Sequence, residues 1–296
     1  MKKIVSILLA VLMVMCLLTA CGGDKNNTAD NNAANGAADA GSNNADSGDS
    51  SSDDTSASDL DYIKSNGTMK IGYTVYEPMN YTDDSGTFTG FDTELATAVC
   101  EKLGVKPEFV LITWNAKVME LESKAIDAIW NGMTITDELK ENISISIPYV
   151  KNMQVLVVKK DSGITSTADL IGKTVVAEAG SAGETVINED ANLSQATYNS
   201  MSQQTDTLLE IKSGTADAAV LDWTLAQNMI GEGTDFADLI MVDGVELSVE
   251  EYGIGFRKGS DVTDAVNNAL KELYKDGTLK TLADKYGLSL APDVEG

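Results

Sequence analysis

The stretch Asp127-Ala-Ile-Trp-Asn-Gly-Met-Thr-Ile-Thr136 decides how the rest of the chain is read. Ala128 to Trp130 is a short apolar run that reads as a buried strand of a parallel sheet. Directly beyond it the chain turns polar, with Asn131, Gly132, Thr134 and Thr136. In open α/β sheets ligands bind just past the carboxyl ends of the strands. Gly132 lets a ligand come close to the backbone, and the two threonines offer hydroxyl and amide groups. Taken alone, the stretch is equally an ordinary strand followed by a polar turn. Its recurrence separates the two readings.

Ninety residues later the pattern returns. Met119-Glu-Leu-Glu-Ser-Lys-Ala-Ile-Asp127-Ala-Ile-Trp-Asn-Gly132 lies over Leu209-Glu-Ile-Lys-Ser-Gly-Thr-Ala-Asp217-Ala-Ala-Val-Leu-Asp222. Glu120 matches Glu210, Ser123 matches Ser213, Asp127 matches Asp217 and Ala128 matches Ala218. Each copy is a helix end, a turn, Asp-Ala, an apolar strand and a polar residue at the tip. A repeat of this length predicts two similar α/β lobes, with Gly132 and Asp222 at equivalent strand tips across a cleft. Chance likeness between two helix-turn-strand units is the competing explanation.

The ends of the chain read differently. Residues 1–21 combine Met-Lys-Lys, an apolar run from Ile4 to Leu18, and Leu18-Thr-Ala-Cys21. A basic start, a short apolar core and small residues at the cut site form a secretory signal. The run is too short for a membrane-spanning helix. The terminal Cys resembles the bacterial lipobox, which implies that Cys21 becomes the lipidated first residue. Residues 22–58 contain no aromatic, Val, Leu, Ile or Met, and carry seven acids and one Lys. Such a segment cannot offset the entropy of ordering, so a disordered tether spanning on the order of 35 Å is expected.

Composition narrows the class of function. The formal charge of −25 excludes a reader of nucleic-acid backbones, which needs a basic surface. The chain contains no His, which removes imidazole catalysis and His-containing zinc sites. No metal and no cofactor are expected. Once the signal is removed, Cys100 is the one cysteine besides Cys21, and its place on an apolar helical stripe marks a small core residue.

The remaining length suffices for two lobes. Met69 to Thr74 reads as a strand with an aromatic loop, Tyr76-Glu-Pro78-Met-Asn-Tyr, at its tip. Gly90-Phe-Asp-Thr-Glu-Leu-Ala-Thr-Ala-Val-Cys-Glu-Lys-Leu103 reads as a helix with Asp92 as N-cap and Phe91, Leu95, Val99 and Leu103 on its core face. Pro107 to Ile112 is a second strand, ending at Thr113-Trp114. Residues 261–276 and 278–286 form amphipathic helices stopped by Gly277 and Gly287, and are expected to pack on the first lobe.

Gly90-Phe-Asp-Thr-Glu-Leu-Ala closely resembles the signature of the family 3 extracellular solute-binding proteins, which serve ABC importers of polar amino acids. Asn131-Gly-Met-Thr-Ile-Thr-Asp-Glu138, Ile147-Pro-Tyr149, Asp169-Leu-Ile-Gly-Lys-Thr-Val175 and Tyr252-Gly-Ile-Gly-Phe-Arg-Lys258 resemble that family's other landmarks, in its order. The resemblance covers roughly residues 59–290. It implies a two-lobed periplasmic-binding-protein (flytrap) fold of type II. The chain would cross near 149–153 and 250–254, with lobe 1 formed by 59–150 plus 252–290 and lobe 2 by 153–249. It also implies a monomer that partners an ABC permease, held to the outer face of a cell membrane by its lipid.

The resemblance further implies a binding site. Tyr76 and Trp114 would sandwich the ligand side chain. Asn131, Gly132 and Thr134 would meet its polar ends, the loop at Ser181 and Ala182 would present amides to an anion, and Asp222 would pair with an α-ammonium. One position departs from the family. Where it usually carries an Arg clamp for the α-carboxylate, five residues after the Thr, this chain has Leu139, and its single Arg is Arg257. Either Thr134, Ser181 and amides hold the carboxylate, or Lys117 or Lys140 stands in, or the ligand has no α-carboxylate. Glu77 and Glu178 would suit a cationic ligand. Two rival functions are a cyclohexadienyl-type dehydratase on the same fold and a sensor or adhesin without transport. A dehydratase needs a positioned proton donor, and a sensor calls for a further signalling segment.

Overall fold

The computed structural model describes residues 58–295. The signal, Cys21 and the tether, apart from Ser58, lie outside the described residues. α1 (Asp59–Asn66) leads into β1 (Thr68–Tyr73), a small hairpin of β2 (Tyr81–Thr82) and β3 (Phe88–Thr89), then α2 (Phe91–Leu103) and β4 (Lys106–Leu111). α3 (Lys117–Glu122), β5 (Ala128–Thr134), α4 (Asp137–Asn142) and β6 (Ser144–Ile145) follow. The long β7 (Val150–Lys159) opens a second series of β8 (Thr174–Glu178), α5 (Ala182–Glu189), β9 (Thr197–Met201), α6 (Gln204–Ser213), β10 (Ala218–Asp222) and α7 (Trp223–Met229). β11 (Leu239–Phe256) returns, and α8 (Val262–Lys275) and α9 (Thr278–Tyr286) come last.

The strands run in the order β4-β1-β5-β11-β7-β10-β8-β9, with β6 against β11. β1 pairs parallel with β4 and β5, and β8 pairs parallel with β9 and β10. β11 closes the first set antiparallel and β7 closes the second. Each half therefore puts its second strand at the edge, its first in the middle and its third beside a crossing strand. β7 and β11 pair with one another from Tyr252 opposite Val150 to Leu239 opposite Lys159, through two register shifts. The chain thus passes between the halves twice.

The sequence repeat is a repeat of bonding. The Asp127 amide donates to the Lys70 carbonyl at 2.7 Å, and its carboxylate accepts from the Lys70 amide at 3.0 Å. The Asp217 amide donates to the Thr174 carbonyl at 2.9 Å, and its carboxylate accepts from the Thr174 amide at 2.9 Å. Each Asp thereby ties the start of its own strand to the neighbouring one, where backbone groups would otherwise lack partners. The helix ends match as well. The Glu120 carbonyl takes the Ala125 and Ile126 amides at 3.0 and 3.2 Å, and the Glu210 carbonyl takes those of Thr215 and Ala216 at 3.0 and 3.1 Å.

Apolar packing holds these halves rigid enough to present a site. Ile71, Ile129 and Trp130 are buried in the first half, and Val175, Ala219 and Leu221 in the second. Each fully buried large side chain contributes about 1.5–3 kcal/mol. α8 buries Val262, Val266, Ala269, Leu270 and Leu273. Cys100 is buried as expected, and burial pushes its thiol up to about 12.

Candidate functional site

The carboxyl ends of β5, β8 and β10 and the loops after β1 and β4 open on one cavity of about 760 Å³. That size lies within the range of small-molecule sites. All eight expected residues line it: Tyr76, Trp114, Asn131, Gly132, Thr134, Ser181, Ala182 and Asp222. Gly132 and Asp222, equivalent in the repeat, face the same space.

Gly132 has φ +58°, and a Cβ there would lie 2.8 Å from the Tyr76 ring. Only glycine fits that approach. Its amide, however, is already given to the Asp92 carboxylate at 2.7 Å. The expectation for Asp92 was wrong. Gly90 is the helix N-cap, with φ +125° and the Met79 carbonyl 2.2 Å from where a Cβ would be. Asp92 instead turns inward, fully buried, and also takes the Trp130 Nε1 proton at 3.2 Å and the Tyr149 hydroxyl at 2.9 Å. Burial outweighs these donors and pushes its carboxyl up to about 7. Asp92 is thus the bracket that holds the tip of β5 in place. The Asn131 side chain is likewise structural, bonding Thr74 and Asn80. The Tyr76 hydroxyl meets that of Tyr252 at 2.6 Å.

Asp222 is buried at the end of β10. Its carboxylate accepts from Asn152 Nδ2 at 2.8 Å, from Gln154 Nε2 and from Gln204 Nε2. Asn152 and Gln154 donate also to Glu250, at 2.6 and 2.9 Å, and the Thr134 hydroxyl donates to Glu250 at 2.9 Å. Burial raises both acids, and the charge of Asp222 lifts Glu250 further, so the pair keeps a proton at neutral pH. Sequence reasoning missed Asn152, Gln154, Gln204 and Glu250. A signal for the first two exists, because they are polar at alternate positions of a crossing strand that runs on into an apolar stretch from Val155 to Val158.

Glu178, at the end of β8, is 2% exposed and lines the cavity. Its Oε1 has no hydrogen-bond partner among the described residues. Burial first, then the charge of Asp222, push it up to about 8 against the pull of Lys117. Glu77 lies outside this cavity and accepts from Asn228 at 3.0 Å. Of the two lysines weighed as clamps, Lys117 lines the cavity, with Nζ 2.9 Å from the Gly180 carbonyl and 4.7 Å from the Trp114 ring centre. Burial lowers it to about 8. Lys140 does not line the cavity and pairs with Asp137 at 3.2 Å. Leu139 lines the cavity where the clamp would sit. Ser181 Oγ caps α5 by accepting the Glu184 amide at 3.2 Å. Arg257 is structural, bonding Asp59 at 2.9 Å and Asp127 at 3.0 Å.

The chain is 32% identical over 231 residues to the L-cystine-binding protein TcyJ of Escherichia coli (strain K12), covering 77% of this chain and 85% of that protein. It is 35% identical over 213 residues to the arginine-binding extracellular protein ArtP of Bacillus subtilis (strain 168), covering 71% and 82%. Among solved structures, the ancestral amino acid-binding protein AncCDT-1, a precursor of cyclohexadienyl dehydratase, matches at 34% identity. Its TM-score is 0.70, over 77% of this chain and 99% of that one. The fold is the two-lobed periplasmic-binding-protein fold of type II. With residues 69–289 matching the profile of that group, the chain belongs to the bacterial extracellular solute-binding proteins, family 3.

Proposed function

We propose that this protein captures an amino acid or a close relative between its lobes and delivers it to the membrane subunits of an ABC importer, binding it without chemistry. The observation that carries the reading is the convergence of strand tips from both halves on one cavity holding Tyr76, Trp114 and the buried Asp222. The cystine- and arginine-binding relatives support an amino-acid ligand. Lobe 1 is formed by 59–150 plus 252–290 and lobe 2 by 153–249, joined by the paired β7 and β11. The ligand closes the lobes on itself, and the permease senses the closed form. Cys21 carries the lipid that holds the protein, a monomer, on the outer face of the membrane.

In the site, Tyr76 and Trp114 flank the ligand side chain and Asp222 takes its ammonium. Thr134, Ser181, Ala182 and Lys117 surround the opposite end. Titration calorimetry against the twenty amino acids, cystine, ornithine and simple amines tests this. The expected result is micromolar or tighter binding of at least one of them, abolished by Asp222→Ala, with the ligand recovered unchanged after prolonged incubation. Conversion of the ligand would favour the dehydratase, and binding indifferent to Asp222→Ala would overturn the assignment of the site.

A further inference from the structure

Acidic side chains outnumber basic ones in the cavity wall. Its wall carries Asp137, Glu138, Glu178, Glu184, Glu189 and Asp222 against one basic residue, Lys117. A cluster of acids on a surface is ordinarily solvated and says little. Glu178 differs, because it is buried and its Oε1 has no partner among the described residues. A buried, unpartnered carboxylate oxygen is costly, and a ligand N–H removes that cost.

Several of the groups that could hold a carboxylate are committed elsewhere, and the Ala182 amide is the exception among those named above. The Gly132 amide goes to Asp92 at 2.7 Å, the Gly180 amide to Glu184 at 2.6 Å and the Ser181 amide to the Glu178 carbonyl at 3.2 Å. The Thr134 hydroxyl donates to Glu250, and Lys117 is drawn to the Gly180 carbonyl. No guanidinium is within reach, since Arg257 is bound to Asp59 and Asp127.

Resting on the solute-binding reading above, we infer that the site takes a solute with two cationic centres, one on Asp222 and one on Glu178, and does not depend on a carboxylate. The aromatic faces of Tyr76 and Trp114 cover the apolar chain between the two cations. Lysine, arginine and ornithine satisfy this description, and so do their decarboxylated counterparts.

The test is calorimetry on the unaltered protein with matched ligands: lysine and cadaverine, arginine and agmatine, and the uncharged side chains of glutamine and citrulline. The expected result is that each amine binds within about tenfold of its parent amino acid, while glutamine and citrulline bind at least about a hundredfold more weakly. Glu178→Gln should weaken the dications by about a hundredfold and change a simple monoamine little. A neutral amino acid that binds as tightly as a basic one would overturn the proposal and leave amino-acid binding intact. Loss of the amines alone, with the basic amino acids still tight, would show that the carboxylate is read and would also overturn it. Silence from every amino acid and amine would instead overturn the reading on which it rests.

Discussion

Glu178→Gln should make the unliganded protein more stable while it weakens the ligand. Glu178 is buried at the tip of β8, and burial raises its carboxyl from an ordinary 4.5 to about 8. A carboxyl raised by folding supports the folded state below its unfolded value, and that support is lost as pH rises through the folded value. The window is therefore from 4.5 to about 8. At about 1.4 kcal/mol per pH unit, the loss across it is about 4–5 kcal/mol. Part of it is recovered by Lys117, whose ammonium Glu178 supports and which an amide would no longer help. A net gain of about 1–3 kcal/mol at pH 8 is expected, and it should raise Tm by about 3–10 °C for a domain of this size. Below pH 4.5 the two proteins should melt alike. Asp92 and Glu250 are unchanged in both, so the difference isolates position 178. Thermal unfolding of the unliganded proteins followed by circular dichroism from pH 4.5 to 8.5 provides the assay. A variant that melts lower at pH 8, or a gap that does not widen with pH, would refute the reasoning.

Three further substitutions separate structural from ligand roles. Arg257→Ala breaks largely buried pairs to Asp59 and Asp127, so denaturant melts should show a loss of about 3 kcal/mol while calorimetry finds affinity within about threefold. Gly132→Ala forces a Cβ to 2.8 Å from the Tyr76 ring at φ +58°. It should cost about 1–3 kcal/mol and weaken ligand at least about tenfold. Asp92→Asn leaves at least one of the Gly132, Trp130 and Tyr149 donors without an acceptor. A fall in Tm equivalent to about 1–3 kcal/mol should follow; an unchanged Tm would mean that Asp92 does not hold β5.

A feature that repeats along the chain is legible in the sequence itself. Asp127 and Asp217 stand ninety apart in sequence and make the same backbone bonds in the fold. The strand tips and their aromatics were legible for the same reason, because parallel sheets put loops and ligands at one edge. What could not be read was pairing between distant polar residues. Asn152, Gln154 and Glu250 gather at Asp222 because β7 lies between β10 and β11 in the sheet, and Gln204 reaches the same carboxylate from the start of α6. Asp92 looked like a cap because acids favour first turns. Gly90 occupies the N-cap position, which frees Asp92 to turn inward. Glu77 and Glu178 were indistinguishable in sequence, and so were Lys117 and Lys140. In each pair, burial at the cavity picks out one.

The most direct test of the account is a crystal structure of the protein grown with saturating lysine or cadaverine. The account predicts ligand density between Tyr76 and Trp114, one nitrogen within hydrogen-bond distance of Asp222 and the other on Glu178 Oε1. Density at a different place, or a ligand whose second nitrogen points to solvent while its carboxylate is held by Lys117, would contradict it.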